Sequence, residues 1–186
     1  MAKQVLQLKI TLRGTRPPIW RRLLVNGDDS LLRLHEIFRS TFEWDDDHLH
    51  DFTINEVRYG TDLEDAFGRA VKSESQARLG QVVWAGSRFK YVYDFGEWWE
   101  LDILVEKVLD PTPGAAYPAC IGGRRLAPLE YSGPEGYPDL LDAIADPNHP
   151  HHESRLEWVK RELGLKDSDP GDVTARLQAE GLIRPL

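Results

Sequence analysis

The strongest constraint on this 186-residue chain is alternation. From Val5 to Leu12, Leu6, Leu8, Ile10 and Leu12 fall on one side and Gln7, Lys9 and Thr11 on the other. A period of two is the signature of a strand with one buried face. The pattern returns at residues 98–108, where Trp99, Leu101, Ile103 and Val105 point one way and Trp98, Glu100 and Asp102 the other. The β-prone run 89–95 precedes it across Gly96-Glu97, which predicts a hairpin. Two such stretches require a sheet with one apolar face, and that face needs a helix or a second layer to cover it.

The cover is legible between them. Gly14 and Pro17-Pro18 mark a turn, and residues 19–25 read as a second strand hairpinned to the first, with Arg21 and Arg22 on opposite faces. Ser30 is a helix N-cap, after which Leu31, Leu34, Ile37, Phe38 and Phe42 recur at helical spacing. The acidic run Asp45-Asp46-Asp47 is unfavourable at a helix C-terminus and is assigned to a loop. Alternation resumes over 48–59 with a turn at Asn55-Glu56. Residues 62–84 are hard to read beyond one buried helical turn at Leu79, Val82 and Val83.

After Asp110 the composition shifts. Residues 110–136, rich in Pro and Gly, predict an extended ordered loop. Helices are expected from about Pro138 to Ala145, from about His151 to Leu163, and near 172–180, the last ending at Gly181. The expected fold is α+β: an antiparallel sheet of hairpins packed on one main helix, a ββαββ-type core, with a Pro/Gly-rich loop and C-terminal helices. The expected organisation is a sheet core over 1–109 and a loop-and-helix part over 110–186 packed on it as one unit.

Charge narrows the function classes. The chain is acidic, with a formal net charge of −8. Residues 1–40 hold eight Lys and Arg against three Asp and Glu, and residues 41–65 hold one against nine. The overall sign argues against a dedicated nucleic-acid binder, leaving at most a local basic patch at Arg13, Arg16, Arg21 and Arg22. Pairing of that patch with the acidic 43–51 segment is the simpler expectation. No apolar run is long enough to span a membrane, Cys120 is the single cysteine, and the first residues enter a strand without an apolar leader block, so a cytoplasmic protein is expected.

Motifs for chemistry are few. There is no nucleophile elbow and no phosphate-cradling glycine loop of the common types. Asp47, His48 and His50, with His149 from the His149-Pro150-His151-His152 run, are the candidate ligands for a divalent metal; two histidines at i, i+2 are a loose spacing for one. Otherwise Asn148 or His149 caps the next helix, with Glu153 in its first turn. Trp98, on the polar side of its strand, is a candidate pocket residue for a planar ligand, with Arg22 and Asp94 beside it. Gly122-Gly123-Arg124-Arg125 is a candidate anion-binding turn, contributed by Arg124 and Arg125. No cofactor other than such a metal is expected.

Five stretches, in order, resemble the plasmid pRiA4b ORF-3-like family. They are Leu8–Leu12 with Pro17-Pro18-Ile19-Trp20-Arg21-Arg22; Leu34-His35-Glu36-Ile37 running to Trp44–Phe52; Tyr91-Val92-Tyr93-Asp94-Phe95-Gly96-Glu97 with Trp99-Glu100; Tyr117-Pro118-Ala119-Cys120 with Gly123-Arg124-Arg125; and Gly136-Tyr137 through Ala145–Pro150. The resemblance covers about residues 5–160. It implies an α+β fold and an association with plasmids and mobile elements, where some members are labelled transposon passenger proteins. It implies no recombinase chemistry and no settled activity. Many relatives carry more cysteines where this chain reads Ala127-Pro128-Leu129-Glu130-Tyr131-Ser132, so a thiolate metal site is not expected here. The leading expectation is a non-enzymatic binding or interaction module. The alternative is a metal-binding protein or metal-dependent enzyme built on the His48/His50 region.

Overall fold

The structure, a computed structural model, describes residues 3–16, 18–45, 47–61, 70–125, 133–162 and 169–186. Its centre is an eight-stranded sheet. Strands β1 (Val5–Leu12) and β2 (Trp20–Asn26) form the first hairpin, and helix α1 (Leu31–Phe42) follows. Strands β3 (His50–Ile54), β4 (Val57–Gly60) and the short β5 (Lys72–Ser73) make one wing. A helical turn α2 (Leu79–Val82) leads to the hairpin β6 (Arg88–Tyr93) and β7 (Trp99–Leu109). Then come β8 (Ala116–Tyr117), β9 (Ala119–Arg124), α3 (Gly133–Ala145), α4 (His152–Glu162), α5 (Pro170–Ala179) and β10 (Arg184–Pro185). The sheet order is β5-β4-β3-β6-β7-β1-β2-β9, antiparallel except for β4 with β5; β8 and β10 pair separately.

The alternating strands behave as their pattern predicts. Leu6, Leu8, Ile10 and Leu12 are buried, as are Trp99, Leu101, Ile103 and Val105, and both sets share the face under α1. Ser30 Oγ accepts from the Arg33 N–H to cap α1, and Glu43 closes it in the left-handed region (φ 62°). Leu34, Ile37, Phe38 and Phe42 supply its buried stripe, with Phe38 edge-on to Tyr91 at 5.4 Å. Asp45 lies in the loop after it, and Asp46 is outside the described residues. The opposite sheet face carries the polar partners of each strand: Lys9, Arg22, Glu100 and Glu106.

The sheet does not reduce to the expected ββαββ unit on one main helix. The β6–β7 hairpin sits between the first hairpin and β3–β4, so strands adjacent in sequence are separated in space. Helix α5 also packs on α1 and on β9, sharing the covering role. The expected loop at 110–136 is corrected too: β9 pairs with β2 at the sheet edge, and α3 starts at Gly133, ahead of Pro138. Gly122 and Gly123 hide β9 from a propensity reading, and Pro138, expected in a first turn, lies inside the helix. The helical turn expected at Leu79 is present, with Leu79 and Val83 buried; residues 62–69 lie outside the described set. Among the described residues, no helix is long and apolar enough to cross a membrane.

Candidate functional site

The β6–β7 turn presents the residues that the sequence singles out most clearly. Asp94 ends β6 in the left-handed region (φ 55°) and is only 8% exposed. Its N–H donates to Leu49 O (2.9 Å), its Oδ1 accepts from Gly96 N (2.9 Å), and its carbonyl accepts from Trp98 N (2.6 Å). Three bonds from one residue define the turn. Trp98 is itself left-handed (φ 60°), which sends its indole outward while Trp99 enters the core. For non-glycine residues this backbone region costs about 1–3 kcal/mol each and persists where surrounding bonds enforce it. The outcome is a tryptophan 54% exposed, with the exposed Phe95 ring 5.9 Å away and Leu49 exposed on the adjoining loop.

Trp98 forms one wall of a cleft of about 510 Å³ lined also by Arg13, Glu97, Glu100, Gly133 and Pro134. Three elements converge there: the β6–β7 turn, the end of β1 and the start of α3. Glu97 reaches against Gly133, whose φ of 59° and lack of a side chain make room for the carboxylate. Negative charge is thereby set at the N-terminal end of α3, where the helix dipole favours it. On the floor, Glu100 pairs with Arg13 and with Lys90, each at 2.5 Å. Burial pushes the Glu100 carboxyl up, but hydrogen bonds and charge from Lys90 and Arg13 outweigh it and hold it below its ordinary value.

The candidate metal ligands are not assembled into one set. His48 Nε2 lies 3.3 Å from Asp47 Oδ1 and 3.8 Å from Asp94 Oδ2, with its ring edge-on to Tyr93. His50 pairs with Tyr93 across β3 and β6, and its side chain is largely buried. Its Nε2 meets both oxygens of Glu74 (3.0 and 3.1 Å), and its ring stacks on His35 at 3.5 Å and 3°. His35 Nδ1 in turn meets Tyr91 Oη at 2.7 Å. His149 sits before α4, where its Nδ1 accepts the His151 N–H (3.2 Å). Among the described residues, no group of three or more His, Cys, Asp or Glu is placed to hold a metal ion.

The candidate ligand residues fall in three places. Asp94 and Trp98 share the cleft turn. Arg22 lies on the open sheet face, bidentate to Glu106 (2.6 and 2.8 Å) and stacked over Trp20 at 5.1 Å, so Arg13 holds the place beside Trp98 expected for Arg22. Gly122, Gly123 and Arg124 lie in β9, with Arg124 exposed; Arg125 follows, half-buried at φ 68°, and residues 126–132 lie outside the described set. Arg13 and Arg22 of the first hairpin are answered by Glu100 and Glu106 and, among the described residues, not by the 43–51 segment, because β7 is the neighbour of β1. The Glu74–His50–His35–Tyr91 network is invisible in the sequence: Glu74 lies 24 residues from His50 in a stretch without periodicity. The stretch that replaces the relatives' cysteines, residues 127–132, lies outside the described residues.

The family described as plasmid pRiA4b ORF-3-like protein matches residues 4–174. An uncharacterized protein, y4hQ, from Sinorhizobium fredii (strain NBRC 101917 / NGR234) is 34% identical over 160 residues, covering 85% of this chain and 82% of that protein. The crystal structure of a protein of unknown function, MM3350 from Methanosarcina mazei Go1, superposes with a TM-score of 0.80 at 29% identity, over 92% of this chain and 98% of that one.

Proposed function

The chain belongs to the plasmid pRiA4b ORF-3-like family, and from that premise we propose that it acts as a binding module, without chemistry of its own, through the Trp98 cleft. The observation that carries this reading is Trp98: more than half exposed, yet held by a left-handed backbone and three bonds around Asp94. A tryptophan fixed in the open presents a flat apolar face at low entropic cost. The paired Arg13 and Glu100 beside it offer both signs of charge to the polar edge of a ligand. A small planar heteroaromatic molecule fits this combination and the 510 Å³ space.

The polar groups around the cleft are arranged for holding. Glu100 is engaged by two cations, and Glu97 abuts Gly133. Among the described residues, neither stands opposite a nucleophile as an acid–base pair would. A nucleic-acid partner is less well supported, because Arg13, Lys90 and Arg22 already have carboxylate partners.

The reading is tested by NMR with a library of small heteroaromatic compounds at millimolar concentration. The Trp98 indole N–H and the Gly96 amide are expected to shift for a subset of compounds. Trp98→Ala is expected to weaken those hits at least about tenfold, in line with the ~0.5–1.5 kcal/mol of an aromatic pair plus its buried area. Unchanged Trp98 resonances across the library, or hits retained at full strength in Trp98→Ala, would remove the reading.

A further inference from the structure

The residue that fits its surroundings least is Arg21. On β2 it occupies the inner face, opposite Ile10 of β1 and Gly123 of β9. It is 1% exposed, among the largest fully buried side chains of the molecule. A guanidinium stays charged at any physiological pH, and a buried charge without a counter-charge is strongly destabilising. Yet among the described residues no carboxylate bonds it. Glu43, the acidic side chain within its electrostatic reach, is bound instead to Arg176 at 2.7 Å.

Its five donors are used unevenly. Nη1 donates to two main-chain carbonyls, Trp20 O at 2.9 Å and Arg124 O at 3.1 Å. Nε and Nη2 have no partner among the described residues. These two nitrogens form one edge of the planar group, the edge whose parallel N–H bonds match the two oxygens of a carboxylate or a phosphate. The carbonyl bonds to Nη1, the Phe42 ring 5.7 Å from the guanidinium carbon, and Gly123 together pin the side chain so that this edge is left over. Gly123 leaves the room required: a side chain there would begin 2.9 Å from Arg21 Cδ.

A second donor lies nearby. Arg125 Nε is likewise buried without a partner among the described residues, and both Arg125 and Arg21 act electrostatically on the buried hydroxyl of Tyr137 on α3. Burial pushes the Tyr137 hydroxyl up, against the pull of Arg125 and Arg21, so it remains a neutral hydroxyl able to donate. Burial also pushes Arg21 down, opposed by Cys120 and Glu43 and reinforced by Arg176. Arg125 directly follows Arg124, whose carbonyl accepts from Arg21 Nη1 at 3.1 Å, so the chain brings two arginines with unpartnered buried donors close together. Two neighbouring guanidinium groups with open donors are the pattern of an anion site.

We propose that the free Nε–Nη2 edge of Arg21, with Arg125 and Tyr137, is a buried binding site for a small oxyanion, a phosphate or a carboxylate, at the junction of β2, β9 and α3. The site is separate from the Trp98 cleft and independent of the ligand read there. Arg21 supplies the bidentate contact, and Arg125 supplies further charge.

The test measures thermal midpoint at constant ionic strength, in chloride, inorganic phosphate and acetate. A saturable rise is expected in at least one oxyanion over chloride: with phosphate for a phosphate-type ligand, with acetate for a carboxylate. Arg21→Met keeps the apolar stem and removes the charge; it is expected to abolish the rise. Arg21→Lys keeps the charge but lacks the two-donor edge, and is expected to require at least about tenfold more oxyanion. Should Arg21→Met not fold, the wild-type protein decides by NMR, where the Arg21 Nε–H resonance is expected to move on adding the oxyanion that raises the midpoint. No rise in either oxyanion, an equal rise in Arg21→Met, or an unmoved Arg21 Nε–H would overturn the proposal.

Discussion

Arg21 and Arg22 are consecutive residues of one strand, and they live under opposite physical regimes. Arg22, on the open face, meets Glu106 through two parallel bonds and lies over Trp20, with Lys9 on the same ring at 5.5 Å. Arg21, one residue earlier, faces Phe42 and donates to carbonyls alone among the described residues. The partner strand repeats the asymmetry. Gly122, opposite Arg22, would accept a side-chain carbon in ordinary contact with the Trp20 ring, whereas Gly123, opposite Arg21, leaves space for the arginine stem. The open face answers a cation within the sheet, and the closed face leaves one unanswered. A charge buried without an answer is the more informative of the two, because selection for stability alone would replace it with an apolar side chain.

The largest way to break the contrast is through Phe42. This fully buried ring covers the Arg21 guanidinium and packs on Trp44 at 5.1 Å. Phe42→Ala is expected to cost about 3–5 kcal/mol in urea unfolding, the range for truncating a buried aromatic residue. A loss under ~1 kcal/mol would mean that the inner face at Arg21 is as loosely held as the outer one, erasing the contrast.

A sharper version compares the two glycines. Neither has a positive φ, so space alone decides. A methyl group at Gly122 would meet the Trp20 ring at 3.5 Å, ordinary contact, and Gly122→Ala is expected to stay within ~0.5 kcal/mol of the parent. At Gly123 it would stand 2.9 Å from Arg21 Cδ and 3.3 Å from Trp20 O, and the buried stem has nowhere to swing. Gly123→Ala is expected to cost about 1–3 kcal/mol, as overpacking does. Equal effects in the two unfolding curves would show that the faces are not distinct at this edge.

Part of this contrast is legible in the amino-acid sequence. Alternation in β2 alone places Arg21 and Arg22 on opposite faces, and the alternating pattern over 98–108 assigns Trp98 outward and Trp99 inward, although Trp98 precedes β7 and turns out through its left-handed backbone. These are local consequences of a period of two. What does not read from the chain is long-range. Glu106 answers Arg22 because β7 lies beside β1, with a register shift between Gln7 and Leu8, and no pattern in either strand announces that neighbour. Glu74 finds His50 from a segment with no periodicity, and β9 is hidden by Gly122 and Gly123, of which only Gly123 is held tight by its neighbours. Arg21 is visible in the sequence only as an arginine on one face of a strand. That its fork is open depends on which carboxylates come near, and Glu43 comes near only to be taken by Arg176.

The smallest expected effect concerns the open face, and acid is the probe. Hydrogen bonding from Arg22 holds the Glu106 carboxyl at about 2, against an ordinary 4.5; partial burial opposes this, and Gln7 and Lys9 assist. A carboxylate whose folded value is depressed contributes stability that is complete above its unfolded value. That contribution is lost as the pH falls from about 4.5 towards about 2. The pair sits at a partly exposed surface, so solvent screening reduces the contribution to about 1 kcal/mol, the upper part of the range for surface ion pairs. Glu106→Gln should therefore be less stable than the parent by that amount near neutrality and converge with it at low pH. Urea midpoints at neutral pH and near pH ~3 measure the convergence, and added salt should shrink the gap at neutral pH. Arg21 has no described carboxylate partner to protonate, so in Arg21→Met this acid-dependent component should remain as large as in the parent. Its disappearance would tie the two arginines into one electrostatic unit across the sheet.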